Sequence, residues 1–289
     1  MTDKPTLIFT FRAEDKEFKV GSGQAFDFTE KPEGLDASEY TVDIENYTFM
    51  DGGRVKRRRI EPRPIAFTFK ARMNVDIPTA RREVLSFFNP KSTGVLEVNY
   101  CGQRRCIPYE VQSKKDNQER LLSRLAFHVE LIAPDPDWRE LEAAENVVST
   151  WTGGWGWPFV FPFTMRQPGE TSITIDNDGD FDSPCLITFK GPAVNPKIIH
   201  EPSGKFIKLN TTLADTDTLY IGNLNREANT TIAIVDASGT VSDAYSLIDP
   251  ASRPFEIVRG TNTIAYTTDQ AQTLPQSVLV SYIERFDYV

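Results

Sequence analysis

The chain has 289 residues, with 32 Lys and Arg against 41 Asp and Glu, and a formal net charge of -9. Its acidic balance should repel polyanions at neutral pH, so we expect no sequence-specific binding of nucleic acid. The length suffices for two domains that each bury a core, and no apolar run reaches transmembrane length, which excludes a helical membrane protein.

The cysteine and histidine content argues against metal and hydrolase sites. The beginning "MTDKPTLIFTFRAEDKEF" lacks a secretion-signal pattern, so we expect a cytoplasmic chain with reduced thiols. Cys101 and Cys106 bracket "CGQRRC", which suits half a metal site or a cross-linked hairpin, but only Cys185, His128 and His200 remain as distant ligands. We therefore predict ordinary thiols, and no catalytic residue, metal or cofactor.

The charges of the first 82 residues are segregated into two blocks. Residues 1–51 hold 5 Lys/Arg and 12 Asp/Glu, a net of -7, and residues 52–82 hold 10 Lys/Arg and 2 Asp/Glu, a net of +8. The basic block contains four successive cations, Lys56, Arg57, Arg58 and Arg59. Three hypotheses stay open for them: a solvated turn, a subunit interface facing acidic surface, and a face toward a lumen or a partner.

The N-terminal half predicts a small β domain with one helix. "PIAFTFKARM" and "RLLSRLAFHVELI" alternate apolar and polar residues as half-buried strands do, and the second places His128 on its polar side. Between them, "TARREVLSFFNP" has the apolar stripe of a helix that stops at Asn89-Pro90. "GVLEVNYCGQRRCIPYEV" then predicts a hairpin that turns near Gly102-Gln103.

A domain boundary is predicted near residues 138–150, giving domains 1–142 and 143–289. "LIAPDPDWRE" interrupts the strand pattern with two prolines, and "ELEAAENVV" follows as a polar connector suited to a short helix. Short strands then run from "SITI" to "SVLVSYIERF", with "FEIV" among them and the turns "PSG" and "ASG" between them. This pattern is typical of a β-sandwich or jelly roll.

One acidic stretch of the second half, "DNDGDFD" from Asp176 to Asp182, invites a calcium-site interpretation. Its glycine lies at the fourth position and no glutamate closes the loop, so the helix-flanked calcium pattern fails. We predict a turn held by side-chain hydrogen bonds to the backbone.

The order of these segments resembles a known family, the distal tail proteins of siphophages. The first half contributes "DGGRVKRRRIEPRPIAFTFKARM", a helix, "FFNPKSTGVLEV" and "APDPDWRE". The second half contributes "ITIDNDGDFDSPCLITFKGPAVNPKI", "FIKLNTTL", "TLYI" and "GTNTIAYTT". Together the segments span nearly the whole chain in the order that the family has.

The resemblance implies a mainly β fold: an N-terminal β-sandwich or split-barrel-like domain with one helix, and a C-terminal galectin-like β-sandwich. It implies a non-enzymatic virion protein, assembled in the host bacterial cytoplasm, whose six-membered ring joins the tail tube protein to a tail-tip or adhesion protein. The ring would leave a channel for DNA, with no membrane contact.

Two alternatives remain beside this hub hypothesis. One is another ring-forming tail subunit. The other is a carbohydrate-binding protein that contacts the host wall through its C-terminal sandwich, with Trp151, Trp155 and Trp157 stacking on sugar rings. Because these tryptophans precede the sandwich strands, we favour packing between the domains over glycan contact.

Overall fold

The computed structural model describes residues 6–13, 16–72, 76–116, 125–149, 151–152, 167–168, 171–226, 231–269 and 277–289. These residues fall into two compact units, one of residues 1–141 and 286–289 and the other of residues 142–285. The last four residues of the sequence therefore belong with the first unit, here called the N-terminal unit.

The elements of the N-terminal unit are β1 (Leu7–Ala13), β2 (Lys16–Gly21), β3 (Phe26–Phe28), β4 (Tyr40–Asn46), β5 (Gly53–Ile60), β6 (Arg63–Ala71), α1 (Ile77–Phe87), β7 (Thr93–Tyr100), β8 (Gln103–Asp116), β9 (Ala126–Ala133) and β10 (Trp138–Arg139).

The C-terminal unit contains β11 (Ala144–Ser149), β12 (Trp151–Thr152), β13 (Gln167–Pro168), β14 (Ser172–Asn177), β15 (Cys185–Lys190), β16 (Ala193–Val194), β17 (Lys197–His200), β18 (Lys205–Lys208), β19 (Thr212–Leu213), β20 (Thr218–Gly222), β21 (Ile232–Val235), β22 (Val241–Asp243), β23 (Gly260–Thr267) and β24 (Ser277–Tyr282). A last short strand, β25 (Arg285–Phe286), spans the division between the units.

The N-terminal unit is built on one antiparallel sheet in the order β2-β1-β7-β8-β9-β6-β3. Phe18 of β2 and Phe26 of β3 approach within 5.0 Å between ring centroids, so the two ends of the sheet nearly meet. The result is a nearly closed, barrel-like sheet, which reduces the length of unpaired strand edge.

A cluster of phenylalanines fills this sheet. The alternation of β6 directs Phe67 and Phe69 inward, where Phe67 stacks on Phe11 at 5.3 Å between centroids. Phe88, just after the helix, lies edge-on to Phe11 at 5.2 Å. Aromatic rings bury much apolar area each, so this cluster dominates the hydrophobic stabilisation of the unit.

The helix α1 covers the cluster as its apolar stripe predicts. Asp76 caps it by accepting a hydrogen bond from the backbone N–H of Thr79 at 3.2 Å, and Ala80, Val84 and Phe87 are buried. In the described part of the chain, no helix is long and apolar enough to cross a membrane.

The C-terminal unit is a sandwich of two antiparallel sheets, ordered β11-β24-β15-β20-β21-β22 and β14-β23-β17-β18. Apolar side chains from both sheets, such as Phe189 of β15 and Tyr266 of β23, meet in one core with their rings 6.1 Å apart. The mainly β fold class predicted from the sequence is confirmed.

Two local predictions in the second half were wrong. The connector "ELEAAENVV" contains strand β11, paired with β24 from Ala144↔Tyr282 to Ser149↔Ser277, in place of a short helix. Its β-branched valines and an available sheet edge outweigh the helix propensity of Glu and Ala. "FEIV" forms no extended strand, since Ile257 only bridges Ser183.

We predict that the C-terminal unit folds on its own. Its core is composed of its own strands, so residues 143–285, expressed alone, should unfold in one cooperative transition in urea. Circular dichroism and intrinsic fluorescence should give coincident curves. Separate transitions, or an insoluble fragment, would mean that the predicted boundary divides a shared core.

Candidate functional site

The four predicted cations lie on a hairpin that stands apart from the main sheet. Strands β4 and β5 pair only with each other in the described structure, from Tyr40↔Ile60 to Asn46↔Gly53. All of β4 is exposed, and all of β5 except Ile60, which is half-buried. The cations are therefore on an exposed strand and not in a turn, and solvent, a neighbouring subunit and a lumen all stay open as what they face. We call residues 40–60 the assembly hairpin.

One face of the assembly hairpin is charged. Thr41, Asp43 and Glu45 of β4 lie opposite Arg59, Arg57 and Arg54 of β5. Nε and Nη2 of Arg54 both donate to Oε2 of Glu45, at 2.9 and 2.8 Å, and Arg59 donates to Glu61 beyond the strand. Hydrogen bonds from Arg59 and Thr41 lower the pKa of Glu61.

The cross-strand pairing combines the two charge blocks of the sequence. Residues 40–61 hold five Lys/Arg and four Asp/Glu, a net of +1, although the blocks they come from carry -7 and +8. Antiparallel pairing thus neutralises much of the local field within one subunit. Opposite charge between subunits is consequently a weaker argument for an interface than the sequence suggested.

The other face is exposed and mostly apolar, with Arg58 as its one cation, opposite Val42. Tyr40, Val42 and Ile44 alternate onto it from β4, with exposures of 54%, 46% and 60%. A β-bulge between Asp43 and Ile44 leaves Lys56 as an extra residue, so Val55 rejoins this face opposite Ile44. An exposed apolar face on a two-stranded sheet is a recognised mark of an interaction surface.

The tip of the hairpin is also apolar. Phe49 is 98% exposed and Met50 is 69% exposed, in a turn closed by a hydrogen bond from the Tyr47 N–H to the Gly52 carbonyl at 3.1 Å. Gly52 has a φ of 94°, which a side chain would strain. The turn therefore presents large apolar groups to solvent from a defined backbone.

The base of the hairpin is fixed by Arg63, which is 3% exposed at the start of β6. All five of its N–H groups have acceptors. They are the carbonyls of Pro136 (2.7 Å), Gly34 (3.0 Å), Asp36 and Asp287 (2.8 Å), and the Ser38 hydroxyl. Burial lowers the pKa of Arg63, and the nearby carboxylates of Asp287 and Asp137 oppose that effect.

The Asp287 carboxylate joins the same network. It accepts from the Ser38 N–H and from the Tyr40 hydroxyl, both at 2.8 Å. Burial alone would raise the pKa of Asp287, but the hydrogen bonds from Ser38 and Tyr40 and the Arg63 charge hold it below its ordinary value. Burial and the bond to Asp287 raise the pKa of Tyr40 to about 12.

His128 lies among polar neighbours, as its strand pattern predicted. Its Nδ1 is 3.0 Å from Oγ1 of Thr68, and its Nε2 is 3.2 Å from Oε1 of Glu130. The Glu130 carboxylate also accepts from Ser113 at 2.7 Å. These contacts tie neighbouring strands together across the outer side of the sheet.

The cysteines are free thiols in three different environments. Cys101 is exposed in the β7–β8 turn, Cys106 is half-buried, and Cys185 is buried. Burial raises the pKa of Cys185 to about 12, which keeps it a thiol at neutral pH. Within the described ranges, no three His, Cys, Asp or Glu side chains converge as metal ligands would.

The acidic stretch forms the predicted turn. The Asn177 side chain accepts from the Gly179 N–H at 3.1 Å and donates to the carbonyls of Phe181 and Ile257. A buried amide therefore shapes the turn. Trp155, Trp157 and the Trp151 side chain lie outside the described residues, so the favoured packing role and the alternative of glycan contact both stay predictions.

A cavity of about 510 Å³ opens in the C-terminal unit, beside the buried His200. The imidazole stacks on Phe255 at 5.1 Å, and its Nε2 lies 2.9 Å from Oδ1 of Asn262. Because the Asn262 amide nitrogen donates to the carbonyls of Val258 and Gly260, its oxygen accepts, so Nε2 of His200 donates. This histidine has a structural role.

Comparison with known proteins places the second half in a phage context. Residues 178–286 match the family model of the siphovirus-type tail component, C-terminal domain. The resemblance to siphophage tail components is confirmed. No curated protein sequence matches the chain.

Three solved phage structures are similar to it over nearly their whole length. One is the crystal structure of the Dit protein of phage SPP1, described as a paradigm of the hub adsorption apparatus in phages infecting Gram-positive bacteria. It has a TM-score of 0.57 at 13% identity, covering 96% of this chain and 99% of that chain.

The other two are chains of the phage P2 baseplate in its activated conformation. The structure with Ca has a TM-score of 0.58 at 11% identity, covering 99% and 100% of the two chains, and the structure with Sr 0.57 at 12%, covering 98% and 99%. At such identities the likeness establishes a shared fold.

We predict that Asp287 stabilises the protein in a pH-dependent way. Because its pKa is lowered by folding, its contribution is present above the unfolded value of about 3.9 and is lost as pH falls through the lower folded value. In urea titrations, Asp287→Asn should lower the free energy of unfolding at pH 6 and have a smaller effect near pH 3. Asp51→Asn, at the exposed hairpin tip, is the matched control. Equal pH profiles for the two variants would contradict the prediction.

Proposed function

We propose that this chain is a distal tail or baseplate hub protein of a siphophage, a structural virion subunit without catalytic activity. The match of residues 178–286 to a siphovirus tail component supports this, and so does the shared fold with SPP1 Dit and the P2 baseplate chains. In this role it would be assembled in the host cytoplasm and would join the tail tube to a tail-tip adhesion protein.

The observation that carries the proposal of self-association is the assembly hairpin. An isolated two-stranded hairpin is marginally stable in water, and this one exposes Val42, Ile44 and Val55 on a single face. Fully burying a residue of this size contributes about 1.5–3 kcal/mol, whereas exposed ion pairs contribute little. Burial of the apolar face, rather than its charges, therefore supplies the driving force for assembly.

A second copy of the chain is the partner that fits this hairpin. Both of its edges are unpaired in the described structure, and unpaired edges add further strands. Repeating one hairpin around a rotation axis closes the edges into a barrel and leaves none free. We infer a closed ring, with six copies as the family resemblance implies.

In such a ring the charged face would line the channel. If the apolar face packs against surrounding subunits, Arg57 and Arg59 point with Asp43 and Glu45 toward the axis. Their nearly balanced charge would let DNA pass without the strong phosphate binding that a purely basic lining produces. Of the open hypotheses for the basic run, this favours the lumen for Arg57 and Arg59, and an intersubunit position for Arg58.

We predict that replacing the apolar face disrupts assembly. Val42→Thr/Ile44→Thr keeps β-branched side chains and so preserves the hairpin, but adds hydroxyls to a face that must be buried. Ring mass, measured by light scattering over a range of concentrations, should appear only at concentrations roughly tenfold or more above those for the original chain.

The matched control changes the opposite face of the same hairpin. Arg57→Gln/Arg59→Gln should shift assembly much less, and its effect should diminish as salt rises, because exposed charges are screened beyond about 8 Å at physiological ionic strength. A strictly monomeric original chain at high concentration, or equal effects of the two double variants, would contradict the proposal.

A further inference from the structure

Residues 286–289 lie in the N-terminal unit although the preceding 144 residues, 142–285, form the other unit. This segment, Phe286-Asp287-Tyr288-Val289, contacts residues far from it in sequence. The Val289 N–H donates to the Leu35 carbonyl at 3.2 Å, and the Phe286 and Val289 side chains pack against the phenylalanine core. Backbone hydrogen bonding and buried apolar side chains therefore hold the segment, as they hold peptides bound to other proteins.

Several polar groups of the N-terminal unit form hydrogen bonds with Asp287, the acidic residue of the segment. The carboxylate of Asp287 accepts from the Ser38 N–H and the Tyr40 hydroxyl, and its carbonyl accepts from Arg63. The Arg63 Nη2 also lies 3.7 Å from the carboxylate. An Asn, a Glu or an apolar residue would not reproduce all of these bonds, so the position selects for aspartate.

A second buried arginine holds the aromatic residues on either side. Arg105 is 4% exposed, its Cζ lies 3.6 Å from the ring centroid of Phe286 and 5.1 Å from that of Tyr288, and it donates to the Tyr288 carbonyl. Cation–π contacts strengthen when desolvated. Two buried arginines, Arg63 and Arg105, therefore bind the segment Phe286-Asp287-Tyr288.

We infer that the N-terminal unit contains a binding site for a short extended peptide, occupied by the chain's own residues 286–289, and that its occupancy orders the base of the assembly hairpin. The link to the hairpin is direct. Ser38 lies two residues before β4 and Tyr40 is its first residue, and both bind Asp287. The effect on ring formation rests on the proposed function; the site itself does not.

Hydrogen–deuterium exchange of the full chain tests the site. Asp287→Ala should accelerate exchange in peptides covering residues 36–46 and 53–61 by about tenfold or more, because hydrogen bonds to a charged group are lost. Exchange in the C-terminal sandwich should not change. Asp51→Ala removes the same side chain at the hairpin tip and should leave the base protected.

The site should also accept the peptide in trans. A chain that ends at residue 285 should exchange faster at the hairpin base, and millimolar Arg-Phe-Asp-Tyr-Val should restore protection, whereas Arg-Phe-Asn-Tyr-Val should restore less. If this shortened chain fails to fold, the Asp287→Ala comparison in the full chain decides.

If the hairpin base exchanges at the same rate in Asp287→Ala as in the control Asp51→Ala, the inference is overturned. Light scattering of the same samples reports ring formation separately, so a failed ring with an intact exchange effect rejects only the proposed function.

Discussion

The N-terminal unit depends on the burial of one cation, Arg63. A desolvated guanidinium is tolerated only if its donors are satisfied and its charge is compensated, and here each of the five N–H groups has an acceptor. Those acceptors come from the 34–38 loop, the loop before β10, and residue 287. Removing one leaves a buried charge undercompensated, so these separate segments and the base of the assembly hairpin are positioned together.

Much of the fold was predictable because its causes are local in sequence. The alternation in "PIAFTFKARM" predicted β6, the apolar stripe of "TARREVLSFFNP" predicted α1, and the glycine near position 102 predicted the β7–β8 turn. Period and turn chemistry are properties of adjacent residues. Strand β11 was missed because its conformation depends on an edge supplied by β24, whose paired residues lie 128 to 138 positions away in sequence.

The candidate site was only partly predictable, because its features depend on pairing and burial. Arg63 and Arg57 belong to the same basic block, yet one is buried in a saturated network and the other is exposed on a hairpin. The opposed blocks of charge suggested attraction between subunits, but the register Asp43↔Arg57 brings them together within one. The run of cations pointed to the hairpin through its charge, whereas the structure bases the proposal of an interface there on the exposed apolar side chains.

The pairing of Arg63 with residue 287 also determines the order in which contacts at the hairpin base can form during synthesis. The two positions are 224 residues apart, and synthesis at roughly 5–20 residues per second separates their addition to the chain by roughly 10 to 45 s. During that interval the sheet strands are available to pair, but the guanidinium lacks its last acceptor and Tyr40 lacks its carboxylate. The hairpin base is therefore completed only after residue 287 has been added, long after the strands of the hairpin itself have been synthesised.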